Sequence, residues 1–149
     1  MRLSEFMSPE LIEIGLDATD KWDAIEKMVS LLAESESVND RNALLSAMVE
    51  REHTMTTGLG HGVAIPHALT DGVSKMVVAA ATLKTPIDFE SLDMQPVSIV
   101  FAIGCPMERG RDYMILLSQI ARLFSNEDFR ETLSRAESPE DFMNAIGSV

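Results

Sequence analysis

The chain has 149 residues, of which 46% are hydrophobic and 24% charged, the composition of an ordinary globular domain. A chain of this length buries one core, so we predict a single domain over residues 1–149 and exclude a disordered or repetitive polymer. Twelve Lys and Arg face 24 Asp and Glu, for a net charge of -12. Such a surface repels phosphate backbones and anionic lipid heads, so we expect no binding of nucleic acid or of membrane surfaces.

Cysteine content and hydropathy indicate where the protein works. Cys105 is the only cysteine, so no intramolecular disulfide and no Cys-x-x-Cys pair can form, which favours the reducing cytoplasm. The apolar runs 76–81 and 99–103 are far shorter than the roughly 20 residues of a membrane helix. Acidic residues interrupt the first fifteen positions, so we predict no secretory signal, no membrane insertion and an amino terminus that belongs to the fold.

The first third of the chain predicts one strand and two helices. Residues 11–16 alternate apolar with polar or small side chains, as a half-buried strand does. Thr19 or Asp20 then caps a helix, and a second helix begins at the capping pair 39–40 and places Arg51 at its carboxyl end. The apolar residues of the first helix recur at helical spacing: Trp22, Ile25, Met28, Val29 and Leu32.

The middle of the chain joins a glycine-rich segment to two apolar strands. Residues 57–68 contain three glycines in five positions and then a short apolar run closed by proline. This pattern predicts a loop entering a short strand, with His67 where that strand stops. The runs 76–83 and 96–103 predict central strands covered on both faces, with residues 86–95 as their connection.

Helical signals dominate the last third. Apolar residues within 113–124 follow the i, i+3, i+4 pattern, and Ser138, Pro139 and Asp141 form a start signal for a final helix. The order of strand, two helices, several strands and two or three helices predicts an α/β fold. We expect a single layered domain whose central mixed β-sheet is flanked by helices on both faces.

His67 has the most informative setting of the three histidines. An imidazole is available in both neutral and charged forms near pH 7, and Pro66 stiffens the backbone before it, which suits a nucleophile. Glycines 58, 60 and 62 allow a close backbone approach to an anion and offer N–H donors. On these residues alone, an alternative stays open: the glycines form a tight turn and His67 satisfies a local carbonyl.

A metal site is not predicted from the histidines. His61 and His67 lie six residues apart, without cysteine and without the i, i+4 spacing that places two ligands on one helix face. We therefore expect no metal and no cofactor.

A longer string around His67 resembles a known signature. From Glu52 the chain has six free positions, a large apolar residue, a small one, two free positions, then an aliphatic-Ala-aliphatic-Pro-His run and a small residue. This resembles the active-site signature of the enzyme IIA components of the bacterial phosphotransferase system, in the fructose/mannitol and nitrogen-regulatory class. Residues 3–10 and 86–101 resemble the family's opening and its lead into a central strand, so the resemblance covers nearly the whole chain.

The resemblance implies a phosphocarrier role for His67. It would take a phosphoryl group from the phosphohistidine of the carrier HPr, or a relative of it, and pass it to a cysteine on a IIB partner. Neutral imidazole offers a lone pair at cellular pH, and phosphoryl transfer depends mostly on positioning and charge neutralisation. Arg51 matches the family's arginine before the signature, although it also suits a solvated cation at a helix end.

The chain departs from the family where a second histidine usually begins the next helix. The matching residue is Tyr113, which can donate a hydrogen bond to phosphate but exchanges no proton usefully at pH 7. Tyr113 equally suits the rim of the helix core. Arg109 and Arg111 are candidates to replace the missing positive charge, although solvated loop arginines are the commoner case.

The resemblance implies two functions from different classes. The first is a IIA phosphocarrier in sugar uptake, with donor and acceptor docking in turn on one surface. The second is a nitrogen-regulatory type of IIA protein, in which phosphate alters binding to a regulated protein and no sugar is served. A conventional hydrolase is disfavoured, because no activated serine, cysteine or carboxylate pair accompanies His67.

Overall fold

The computed structural model describes residues 1–147 of the chain. Two 3₁₀ turns, Leu3–Phe6 and Pro9–Leu11, precede the first strand, and a third, Met107–Arg109, leads into a long helix. The strands in the described residues are β1 (Ile12–Leu16), β2 (Gly58–Gly60), β3 (Val63–Ala64), β4 (His67–Leu69), β5 (Val77–Ile87) and β6 (Val97–Cys105). The helices there are α1 (Lys21–Leu32), α2 (Arg41–Thr54), α3 (Gly110–Phe124), α4 (Glu127–Ser134) and α5 (Pro139–Gly147).

All six strands join one mixed sheet built around β6. The long strands β5 and β6 pair antiparallel, and β1 lies parallel to β5 on its outer side. On the other edge of β6, β3 and β4 pair in parallel at successive registers, with Val63 opposite Ile99 and His67 opposite Ile103. β2 closes this side by pairing antiparallel with β3.

Helices cover both faces of the sheet, because successive residues of its central strands point in opposite directions. Val100 and Ala102 of β6 pack in the core beneath α1 and α2. Phe101 and Ile103 pack in a second core beneath α3, α4 and α5, where the Phe101 ring lies 5.7 Å from that of Phe142. The predicted mixed sheet with helices on both faces is confirmed.

Side-chain caps fix where the first helices begin. Asp20 accepts a 2.8 Å hydrogen bond from the Asp23 N–H, and Asp40 accepts one of 3.0 Å from the Ala43 N–H. Each cap satisfies a donor that the first turn leaves without an intrahelical partner. At the amino terminus Leu3 and Met7 are buried in the second core, so this segment belongs to the fold, as predicted.

Two strand boundaries differ from prediction. His67 does not end a strand: β3 stops at Ala64, and His67 begins β4, because Pro66 has no N–H to continue the ladder. The carbonyl of Pro66 still accepts a 3.0 Å bond from the Ile103 N–H, which keeps the chain beside β6. β5 runs on to Ile87 through a shift in register after Thr82, so part of the predicted connection is strand.

Within residues 1–147, no helix has the length and apolar character needed to cross a bilayer.

Candidate active site

His67 is held in one orientation by a carbonyl two residues before it. Its Nδ1 lies 2.6 Å from the carbonyl oxygen of Ile65. A carbonyl can only accept, so Nδ1 carries the proton and donates it. The lone pair is therefore on Nε2, the nitrogen that is available for reaction.

The environment of His67 favours a neutral ring. The residue is only 6% exposed, and this burial is the main cause that lowers its pKa; the positive charge of Arg51 lowers it further. The Ile65 carbonyl and Glu52 act in the opposite direction but do not cancel the effect. At neutral pH the imidazole therefore keeps its lone pair.

His67 borders an open groove of about 540 Å³ between α2, β4 and α3. Arg51 and Tyr113 line the same groove, so the structure brings together all three residues predicted for the site. The rim is mixed: Glu50 contributes a carboxylate, and Met114, which is 60% exposed, contributes a flexible apolar side chain. The histidine is thus recessed but stands beside space wide enough for a tetrahedral anion.

Arg51 lies in the last turn of α2 and is half-buried. Its Nη1 donates a 2.9 Å bond to the carbonyl of Met55, the first residue after the helix. This bond closes the carboxyl end of α2, and Arg51 also lines the groove. A helix-end role and a site role are therefore compatible.

Tyr113 is 6% exposed in the first turn of α3, and its ring meets His67 edge to face at a centroid distance of 5.3 Å. Burial raises its pKa well above the ordinary value, so the phenol stays protonated. Arg109 and Arg111 do not border the groove; Arg109 is exposed and pairs with Asp112 at 3.1 Å. Neither arginine therefore places a positive charge beside His67 in the way that a second histidine would.

Cys105 ends β6 opposite Leu69 of β4, the strand that begins at His67. The thiol is fully buried and forms no disulfide, and it donates a hydrogen bond to the Pro106 carbonyl oxygen at 3.5 Å. Burial raises the pKa of Cys105 to about 11.

The glycine segment forms a tight hairpin, which is the alternative that the sequence left open. Gly60 and Gly62 have φ of +98° and +80°, a region that other residues rarely adopt. The N–H of Gly58 donates to the Thr56 hydroxyl, and the N–H of His61 donates to Asp93. None of these glycines lines the groove beside His67.

A buried ion pair that was not predicted joins α1 to α2 at Glu52, the residue after Arg51. Lys21 Nζ lies 3.0 Å from Glu52 Oε2, and both side chains are almost completely buried. Glu52 also accepts a 2.8 Å bond from the Thr57 N–H. One signal was present in the sequence, because a lysine in the first turn of a helix opposes the helix dipole and so calls for a partner.

In the part of the chain that the structure describes, no group of three or more His, Cys, Asp or Glu residues is placed to hold a metal ion.

Comparison with known proteins defines the class to which this fold and site belong. Residues 5–149 match the family model described as phosphoenolpyruvate-dependent sugar phosphotransferase system, EIIA 2. The chain belongs to this family, as its resemblance to the signature predicts.

Relatives of two kinds are similar to this chain. It is 40% identical over 140 residues to the PTS system fructose-specific EIIA component of Haloferax volcanii, covering 94% of this chain and 91% of that protein. It is 36% identical over 146 residues to a nitrogen regulatory protein of Bradyrhizobium diazoefficiens, covering 98% and 95%. The crystal structure of nitrogen regulatory protein IIA-Ntr from Neisseria meningitidis superimposes with a TM-score of 0.90 at 29% identity, covering 97% of this chain and 98% of that one.

Proposed function

We propose that this chain is a IIA phosphocarrier in which His67 takes a phosphoryl group from the phosphohistidine of an HPr-like donor and passes it to a IIB partner. The observation that carries the proposal is the recessed imidazole whose Nδ1 is tied to Ile65, beside a groove that Arg51 and Tyr113 share. The cytoplasmic location remains a prediction, as does the assignment of residues 1–149 to one IIA domain.

The transfer balances without metal or water. The Nε2 lone pair attacks phosphorus, the P–N bond of the donor breaks, and its electron pair returns to the donor imidazole. The ring of His67 gains positive charge as the new bond forms, while the proton stays on Nδ1 and remains hydrogen-bonded to the Ile65 carbonyl. That hydrogen bond strengthens as the charge develops, so it stabilises the transition state more than the ground state.

Arg51 supplies the charge that the transferred group needs. A phosphoryl group spreads negative charge over three oxygens, and a guanidinium can meet two of them at once. Tyr113 adds a neutral hydroxyl donor at the same groove.

The direct test is incubation with phosphoenolpyruvate, enzyme I and HPr. We expect a mass gain of one phosphoryl group that is labile in acid and stable in base, and that is absent from His67→Ala. His53→Ala serves as the matched control, because His53 is exposed and stacks on Trp22 away from the groove. A mass gain that persists in His67→Ala would refute the assignment.

Removal of the Arg51 charge gives a graded second test. Arg51→Gln is expected to slow acceptance by about 1–3 kcal/mol of lost charge-assisted bonding. The initial rate of phosphorylation measures the effect. A rate equal to that of the parent protein would leave Arg51 with only its bond to Met55.

The second candidate function is regulatory, and it is favoured by the similarity to nitrogen regulatory proteins together with Tyr113 in place of a second histidine. In this case phospho-His67 alters the docking of a regulated protein and no sugar is served. Mixing the phosphorylated chain with a fructose IIB protein separates the two functions. Rapid loss of phosphate to IIB supports transport, whereas retention supports regulation.

A further inference from the structure

The buried pair Lys21–Glu52 connects to His67 through an unbroken series of bonds. Lys21 begins α1, and Glu52 lies near the end of α2. The Glu52 carboxylate accepts from the Thr57 N–H at 2.8 Å and from the Thr57 hydroxyl at 2.5 Å. The Thr57 carbonyl accepts a 3.0 Å bond from the Ile65 N–H, and the Ile65 carbonyl accepts from His67 Nδ1.

We propose that Lys21 and Thr57 are positioning residues that, through Glu52 and Ile65, hold His67 in the Nδ1–H tautomer and so present Nε2 as the nucleophile. Neither touches the reacting atoms. They act by fixing Ile65, which the Thr57 carbonyl holds on one side and the ring of Pro66 holds on the other. A carbonyl held in this way selects one tautomer and one ring orientation.

Burial explains why Lys21 is needed for this arrangement. The Glu52 side chain has no solvent exposure, so its charge would be strongly unfavourable without a partner. The ammonium group of Lys21 supplies that partner. It also lies 5.2 Å from the centre of the Phe89 ring and 3.3 Å from Glu90 Oε1. Without Lys21, the Glu52 carboxylate would turn toward water, and Thr57 would lose the acceptor that fixes its backbone.

The same carboxylate also steadies the cation of the site. Thr57 follows Met55 by two residues, and the Met55 carbonyl accepts the bond from Arg51. By holding Thr57, Glu52 limits the movement of the short segment on which Arg51 closes. One buried pair thus sets both the nucleophile and the charge that neutralises phosphate.

Nitrogen-15 NMR of the histidine rings tests the proposal on unphosphorylated protein. Lys21→Met and Thr57→Val are expected to raise the Nε2–H share of His67 relative to the parent, while Lys21→Arg and Thr57→Ser preserve the parental pattern. Lys27→Met is the control, because Lys27 lies on the same helix but pairs at the surface with Asp23. If folded Lys21→Met and Thr57→Val both show the parental tautomer, the proposal is refuted.

A second readout is the rate of phosphoryl acceptance, and this part rests on the proposed function. The two disruptive variants are expected to accept up to about 100-fold more slowly, the cost of a misplaced reacting group. If the parent takes up no phosphate, the proposed function fails while the tautomer measurement still decides this inference. If Lys21→Met does not fold, Thr57→Val decides, because it removes a single hydroxyl.

Discussion

Tyr113 meets His67 edge to face, at the position where the resemblance to the IIA signature implies a second histidine. A phenol whose pKa is raised by burial can donate a hydrogen bond but cannot exchange a proton near pH 7. An imidazole at this position can do both. If His67 carries phosphate as proposed, we expect the tyrosine to affect onward delivery more than acceptance.

We predict that Tyr113→His leaves acceptance by His67 unchanged and speeds delivery to a IIB partner. Rapid-quench measurement of both half-reactions tests this. Tyr113→Phe, which keeps the ring and removes the hydroxyl, is the control for packing. Equal delivery rates in the parent and Tyr113→His would assign Tyr113 to the core rim alone.

The lowered pKa of His67 predicts a loss of stability in mild acid. Burial, the largest cause, keeps the folded ring neutral, whereas in the unfolded chain the ring titrates near its ordinary value of 6.5. As the pH falls through 6.5, the unfolded state binds the proton first, so the free energy of unfolding decreases. Above 6.5 the contribution is fully present.

Urea unfolding between pH 8 and pH 5 measures this effect. The unfolding free energy of the parent minus that of His67→Gln is expected to decrease as the pH falls, because only the parent has this titration. A pH-independent difference would show that His67 titrates alike in the folded and unfolded chains.

At the scale of elements, the hairpin β2–β3 is packed too closely to accept a side chain. A Cβ added at Gly58 would lie 2.1 Å from Ser91 Oγ and 3.0 Å from Ser91 Cβ. Ser91 is buried, so it cannot simply turn outward. The hairpin and the loop after β5 therefore hold each other in place.

We expect Gly58→Ala to lower the free energy of unfolding by about 1–3 kcal/mol through overpacking. Denaturant unfolding measures the loss, and Gly58→Ala combined with Ser91→Gly should recover part of it. Gly147→Ala is the control, since a Cβ at that position meets no atom within 4 Å. No recovery in the double variant would place the strain elsewhere.

Sequence reasoning succeeds for elements that carry their own signals. α1 and α2 have capping aspartates and a helical period, and both begin directly after the predicted caps. β2, β3 and β4 are two or three residues long, too short to display an alternating pattern. Their strand character comes from pairing within the sheet, which is a tertiary contact. His67 can be predicted because Pro66 and the signature residues lie next to it in the sequence. The Lys21–Glu52 pair joins two helices, so its only signal in the sequence is a lysine in the first turn of α1.

At the scale of the whole molecule, one sheet separates two cores. The single tryptophan, Trp22, packs against the core beneath α1 and α2, and Phe101 fills the opposite core, where its ring lies 5.1 Å from that of Phe124. Both cores contain alternating residues of the same strands. A substitution that destabilises one core should therefore also destabilise the other.

We predict that Phe101→Ala lowers the free energy of unfolding by about 3–5 kcal/mol. The unfolding midpoint measured by Trp22 fluorescence should shift as far as the midpoint measured by circular dichroism. The tryptophan reports the face opposite to the change, so coincident transitions would indicate that both layers unfold together. A Trp22 transition that keeps its parental midpoint would show that the layers unfold independently.

Because Cys105 is buried, the reaction rate of this single thiol reports local opening of the fold. A group with a pKa of about 11 is almost never a thiolate at neutral pH, and the packed end of β6 keeps reagents away. An alkylating agent can react only when the end of β6 separates from β4 and its other neighbours. The rate of alkylation then measures how often β6 opens beside β4, the strand that begins at His67, without any introduced label.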